Sequence, residues 1–130
     1  AAPSQPPNMR HTSLDALYES SGGPPWKHVL VDDDRNKAHL ICHPPGMSNR
    51  AHWHYDFDEW WLVMQGELTW EIGDRPAIRA RDGDIVYSPR GFRHSSKTVS
   101  PGPSLRLAVT PPDNPHIWTD EDGAAPPPRE

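Results

Sequence analysis

Glycine and proline interrupt this chain at regular intervals from residue 21 onward, and short, apolar, β-prone runs lie between the interruptions. A run that short, bounded by turn residues, suits a strand rather than a helix. The pattern predicts strands at 26–31, 37–43, 59–65, 68–72, 77–80, 85–88, 94–99 and 105–110, about eight in all. Gly66-Glu67 is read as a hairpin turn between the third and fourth of these. Strands at hairpin spacing, with no helical pattern after residue 20, predict an all-β fold: a small barrel or a double-sheet jelly roll.

The ends differ in character. Nine glycines and 17 prolines are spread through 130 residues, and Pro3, Pro6, Pro7, Pro126, Pro127 and Pro128 crowd the termini, which predicts tails outside the packed domain. Thr12 to Ser20 predicts a short helix, capped by Thr12 with Asp15 three positions on, with Leu14, Leu17 and Tyr18 on one side. The expected division is a tail and helix over 1–25, a barrel over 26–112 and a second tail over 113–130. The acidic run Asp32-Asp33-Asp34 is read as a solvated turn and not as a metal site.

A net charge of -5 with no basic run argues against nucleic acid or an anionic membrane as partner. Cys42 is the only cysteine, so no internal disulfide forms and a reducing compartment is expected. The first residues lack the basic and apolar regions of a signal peptide. The default expectation is a cytoplasmic protein.

Chemistry concentrates between Gly46 and Gly66. His52 and His54 share one face of an extended strand, with Trp53 on the other, and Glu59 follows five positions after His54. Two imidazoles and a carboxylate from adjacent backbone make up most of a first-row metal site. His94, in a second block punctuated by Gly83, Pro89 and Gly91, is the fourth candidate.

These blocks resemble the two cupin motifs. Gly46, His52-x-His54, Glu59 and Gly66 stand at the spacing of the first, and Gly83, Pro89-x-Gly91 and His94 at the spacing of the second. Thr98 stands where the second motif commonly carries asparagine, which puts a local turn or hydrogen bond in question but not the ligand set. The resemblance spans roughly residues 26–112 and implies a double-stranded β-helix, with His52, His54, Glu59 and His94 holding one divalent metal. Such a nitrogen/oxygen set suits Fe(II), the favoured metal, and also Mn(II), Ni(II), Zn(II) or Cu(II).

Other residues are weighed on strand parity. Trp61 and Val63 share the inward parity of Glu59, and Trp60, Leu62 and Met64 take the opposite layer. Trp61, Phe92 and Arg106 are the candidate substrate-binding residues, and Tyr55 and Tyr87 the candidate catalytic bases. Arg106, inside the apolar strand Leu105–Val109, is expected to point to solvent; turned inward, it would clamp a carboxylate. His39 and His43 are expected at the surface or in satisfied positions, with an acid-base role as the alternative. The segment 111–118 either crosses the barrel mouth or places Trp118 in a dimer contact. Six tryptophans are many for one small barrel to hide, and together with the resemblance they predict a homodimer.

The functional expectation is a metal-dependent enzyme, an Fe(II) dioxygenase acting on a small organic acid or aromatic substrate. The alternatives are a non-oxidative lyase or isomerase, and a metal-containing binding protein without turnover.

Overall fold

The structure, a computed structural model, describes residues 7–49, 51–53, 58–112 and 117–118. His54, Tyr55 and the terminal residues 1–6, 113–116 and 119–130 lie outside the described residues, and of Trp53, Ile117 and Trp118 only the backbone is described. One helix, α1 (Leu14–Ser20), precedes ten strands. These are β1 (Trp26–Asp32), β2 (Lys37–His43), β3 (His52–Trp53), β4 (Glu59–Gln65), β5 (Glu67–Ile72), β6 (Ile78–Arg81), β7 (Ile85–Ser88), β8 (His94–Thr98), β9 (Ser104–Thr110) and β10 (Ile117–Trp118). Among the described residues, no helix is long and apolar enough to cross a membrane.

The strands form two five-stranded antiparallel sheets, β1-β2-β9-β4-β7 and β10-β3-β8-β5-β6. The all-β double-stranded β-helix is therefore observed. Two of the ten strands are only two residues long, too short for a period-2 pattern to reveal. They pair with each other, Ile117 opposite Trp53 and Trp118 opposite His52. The backbone of residues 117–118 thus forms the edge of the second sheet, beside His52.

Side-chain alternation builds two cores. Between the sheets, Trp61, Val63, Val86 and Ala108 meet Leu68, Trp70, Ile72 and Ala80, with Phe92 among them. On the outer face of the first sheet, Leu40, Cys42 and Leu105 pack under Leu17 of α1, joined by Leu14, Tyr18, Trp26 and Met64. The parity assigned to β4 holds: Trp61 and Val63 are buried between the sheets, and Met64 faces α1. Strands β2 and β9 are consequently covered on both faces. Cys42 packs as a small apolar group beneath the helix.

Three local readings are corrected. The N-cap of α1 is Ser13 rather than Thr12; its hydroxyl accepts from the Ala16 amide at 3.3 Å. Strand β6 begins at Ile78, one residue later than its apolar run suggested. Gly66-Glu67 is not a hairpin turn, because β4 already pairs with β7 and β9 on its two sides, so the chain must leave for the other sheet. Gly66 makes that corner with φ 87°, and a Cβ there would come within 2.9 Å of Pro103 O and Ser104 Cα. Only glycine fits both the dihedral and the space. The Asp33 carboxylate caps its own turn, accepting from the Arg35 and Asn36 amides at 2.8 Å each, as expected of a turn aspartate.

Candidate metal centre

Strand starts bring the candidate ligands together. His52 opens β3 and His94 opens β8, and the two face each other directly across the second sheet. Glu59 opens β4 in the first sheet. Facing sheets therefore deliver two imidazoles from one side and a carboxylate from the other. All three side chains are buried. One donor atom from each lies within 4.8 Å of the others. His94 Nε2 is 2.9 Å from His52 Nε2 and 3.4 Å from Glu59 Oε1.

The surroundings orient these donors. Ser88, the last residue of β7, pairs with Glu59 across the strands and places its Oγ 3.0 Å from His94 Nδ1. With Nδ1–H donating to Ser88, His94 turns the lone pair of Nε2 toward the cluster. Trp61 stands edge-on to the His94 ring at 5.1 Å and contacts Trp70 at 5.3 Å, walling the cluster with aromatic surface. Buried nitrogen and oxygen donors converging at this range fit a divalent cation, and His52, Glu59 and His94 would hold it. His54, the fourth ligand implied by the motif, lies outside the described residues.

The remaining candidates divide. Trp61 lies inside the barrel against His94. Phe92 is buried in the inter-sheet core, its ring against Gly73. Tyr55 lies outside the described residues. Tyr87, with Phe92, Asp58 and Arg90, lines a cavity of about 470 Å³. Val86 and Ser88 take the inward positions of β7, so Tyr87 between them points outward and is 54% exposed. Partial desolvation and the neighbouring Asp58 carboxylate also push its hydroxyl above the usual phenol range, against service as a base.

The expectation that Arg106 points to solvent is corrected. Leu105 takes the face beneath α1, which turns Arg106 between the sheets, where it is buried. His39 and His43 share the inward face of β2, since Leu40 and Cys42 face the helix. Burial, reinforced by Lys27 and Lys37, holds His39 below the ordinary histidine range.

Two features escaped the sequence reading. Ser88 carries no motif signature; its only signal is a small polar residue at the inward parity of an apolar strand. The second is the clamp between Asp58 and Arg90. The Arg90 amide donates to Asp58 Oδ1 at 2.8 Å and its guanidinium to Oδ2 at 3.2 Å. This ties the residue preceding Glu59 to the turn preceding His94, across a sequence separation that no local pattern spans. Thr98, at the position departing from the motif, is fully buried and exchanges a 2.8 Å hydrogen bond with Ser104.

A two-sheet β-helix with buried histidine and glutamate converging between its sheets defines a metal-site barrel of the cupin type. The profile of the family described as "Cupin domain" matches residues 39–111, and the chain belongs to that family. Among solved structures, it resembles an uncharacterized conserved protein with a double-stranded β-helix domain from Klebsiella pneumoniae, at 22% identity and TM-score 0.72, covering 85% of this chain and 97% of that one. It also resembles the polyketide cyclase RemF from Streptomyces resistomycificus, at 21% identity and TM-score 0.64, covering 71% of this chain and 68% of that one. Oxalate decarboxylase from Bacillus subtilis aligns at 18% identity and TM-score 0.61, over 68% of this chain and 24% of its own length. At these identities the likeness shows the fold alone. No curated protein matches the sequence.

Proposed function

We propose that this cupin is a metal-dependent enzyme acting on a small organic acid or aromatic substrate, with Fe(II) as the metal and dioxygen as co-substrate. The observation that carries the reading is the convergence of buried donors from His52, Glu59 and His94 within 4.8 Å. When bound, a divalent metal supplies Lewis acidity and, as Fe(II), redox chemistry. The chain's own part is to present the donors and keep water out. Ser88 holds the His94 ring, the Asp58–Arg90 clamp steadies the backbone beside Glu59, and Trp61 with Trp70 forms the dry wall. Trp61 is the residue we assign to the substrate face. Similar folds occur in a polyketide cyclase and in oxalate decarboxylase, the latter described with Mn(II) centres, which supports a catalytic role for a metal-bearing barrel.

A second reading, a lyase or isomerase, is favoured by His39. It lies on the inward face of β2, opposite Ala108, which itself pairs with Trp61. An imidazole held neutral there is suited to accept a substrate proton.

The test is elemental analysis of protein purified without added metal, beside a portion reconstituted anaerobically with Fe(II) and treated with nitric oxide. Near-stoichiometric iron with a nitrosyl resonance is expected for the oxidative reading. Tightly held zinc, manganese or nickel that iron does not displace, with no such resonance, selects the lyase or isomerase. Absence of any metal overturns both.

A further inference from the structure

Arg106 is a buried cation with no ion-pair partner among the described residues, although the Glu59 carboxylate acts on it at longer range. It is 3% exposed. One terminal nitrogen, Nη1, lies 3.4 Å from His43 Nδ1, and Nε has no hydrogen-bond partner among the described residues. Burial lowers its pKa to about 10, with Glu59 acting in the opposite sense, so the guanidinium remains charged at neutral pH. A buried charge with an unmatched N–H is costly unless something else supplies the acceptor.

The structure offers the space for one. Arg106 lines a cavity of about 350 Å³ bounded by Trp26 and Lys27 of β1, Ile41 and His43 of β2, and Asn49. Lys27 is exposed, whereas Arg106 is the most deeply buried charged group of the lining. Trp26 and Ile41 supply apolar walls, and none of the described metal-ligand candidates, His52, Glu59 and His94, lines the cavity.

We propose that this cavity binds an organic monocarboxylate, with the carboxylate on Arg106 and an apolar body against Trp26 and Ile41. Arginine presents its donors as a planar fork matched to two carboxylate oxygens, and the Nε edge is the part left unpaired. One negative charge balances one buried positive charge, whereas a phosphate dianion would bury an excess. The lining is partly apolar, which suits an acid with a flat or branched hydrocarbon body. Arg106 is not one of the four metal-ligand candidates, so carboxylate binding is measurable after the metal is removed.

Calorimetric titration of the full chain, as purified and after chelation, tests it with benzoate, benzamide and inorganic phosphate as probes. Benzoate is expected to bind once per chain in both preparations, at least about tenfold tighter than benzamide or phosphate. Arg106→Met and Arg106→Lys should each weaken benzoate about tenfold or more, and Lys27→Met about threefold, with metal content unchanged. The lysine variant keeps the charge and loses the fork, so it carries the comparison if the methionine variant does not fold. No benzoate binding to folded wild type, or benzamide binding as tightly, overturns the proposal. So does phosphate binding equal to benzoate, which would mark an inorganic-anion site, or undiminished affinity in Arg106→Lys.

Discussion

At the scale of single residues, the site depends on what each ligand touches besides the others. Ser88 is the clearest case: its hydroxyl holds His94 Nδ1 at 3.0 Å, and its burial leaves no water to replace it. Ser88→Ala should therefore weaken metal affinity about tenfold, in the range seen when such supporting partners are removed, with little change in fold. Competition with a chromophoric chelator measures this. His94→Ala should abolish most binding, whereas His116→Ala should leave metal content nearly unchanged; equal content in wild type and His94→Ala would sink the ligand assignment.

His43 makes a second prediction. Burial, with Arg106 and Lys27 nearby, holds its pKa to about 4 against an ordinary 6.5, so between those values the unfolded chain takes up the proton that the folded chain refuses. This contribution to stability is complete above about 6.5 and is lost as the pH falls toward 4. The urea midpoint should fall across that window, and His43→Gln should flatten the fall. An unchanged slope in the variant would show that other groups carry it.

At the scale of elements, corners matter more than strand interiors. Gly66 and Gly83 both have φ 87°, but a Cβ at Gly66 meets backbone at 2.9 Å while at Gly83 nothing lies within 4 Å. Gly83→Ala should cost only the left-handed strain, roughly 1–2 kcal/mol. Gly66→Ala should cost clearly more, because Pro103 and Ser104 must also move. Chemical denaturation of the pair separates strain from crowding, and equal losses would remove the crowding argument. Much of this layer was legible beforehand. The bounds of β2, β4 and β7 follow directly from apolar runs and their punctuation, because a strand's local signal and its extent coincide there. The tiny pair β3 and β10 was not legible, since two residues carry no periodicity and their pairing joins positions some 65 residues apart.

At the scale of the whole molecule, an apolar row remains outside both cores. Trp60 pairs with Tyr87 and Leu62 with Ile85 across β4 and β7, and Trp60, Tyr87 and Ile85 are all exposed. We propose that the chain forms a homodimer through this row, since exposed aromatic and aliphatic groups side by side on one sheet suit an interface. Sedimentation should show a dimer for wild type and a monomer for Ile85→Glu with Tyr87→Glu. A wild-type monomer, or a dimer indifferent to both changes, would exclude this face.

The sequence by itself determined the candidate ligands and their spacing, the β-rich architecture and the inward parity of β4, because each is written in local order: a motif, a period of two, a glycine or proline stop. Tertiary structure alone decided which way Arg106 and Tyr87 point. Strand β9 is covered on both faces, so hydrophobic alternation does not tell inside from outside; the packing of Leu105 beneath α1 sends Arg106 between the sheets. In β7 the more apolar pair, Ile85 and Tyr87, faces out, because pairing with β4 sets Ser88 opposite Glu59 and commits it to the His94 ring. Side-chain direction in a doubly covered sheet depends on contacts between distant strands, and those exist only once the chain has folded.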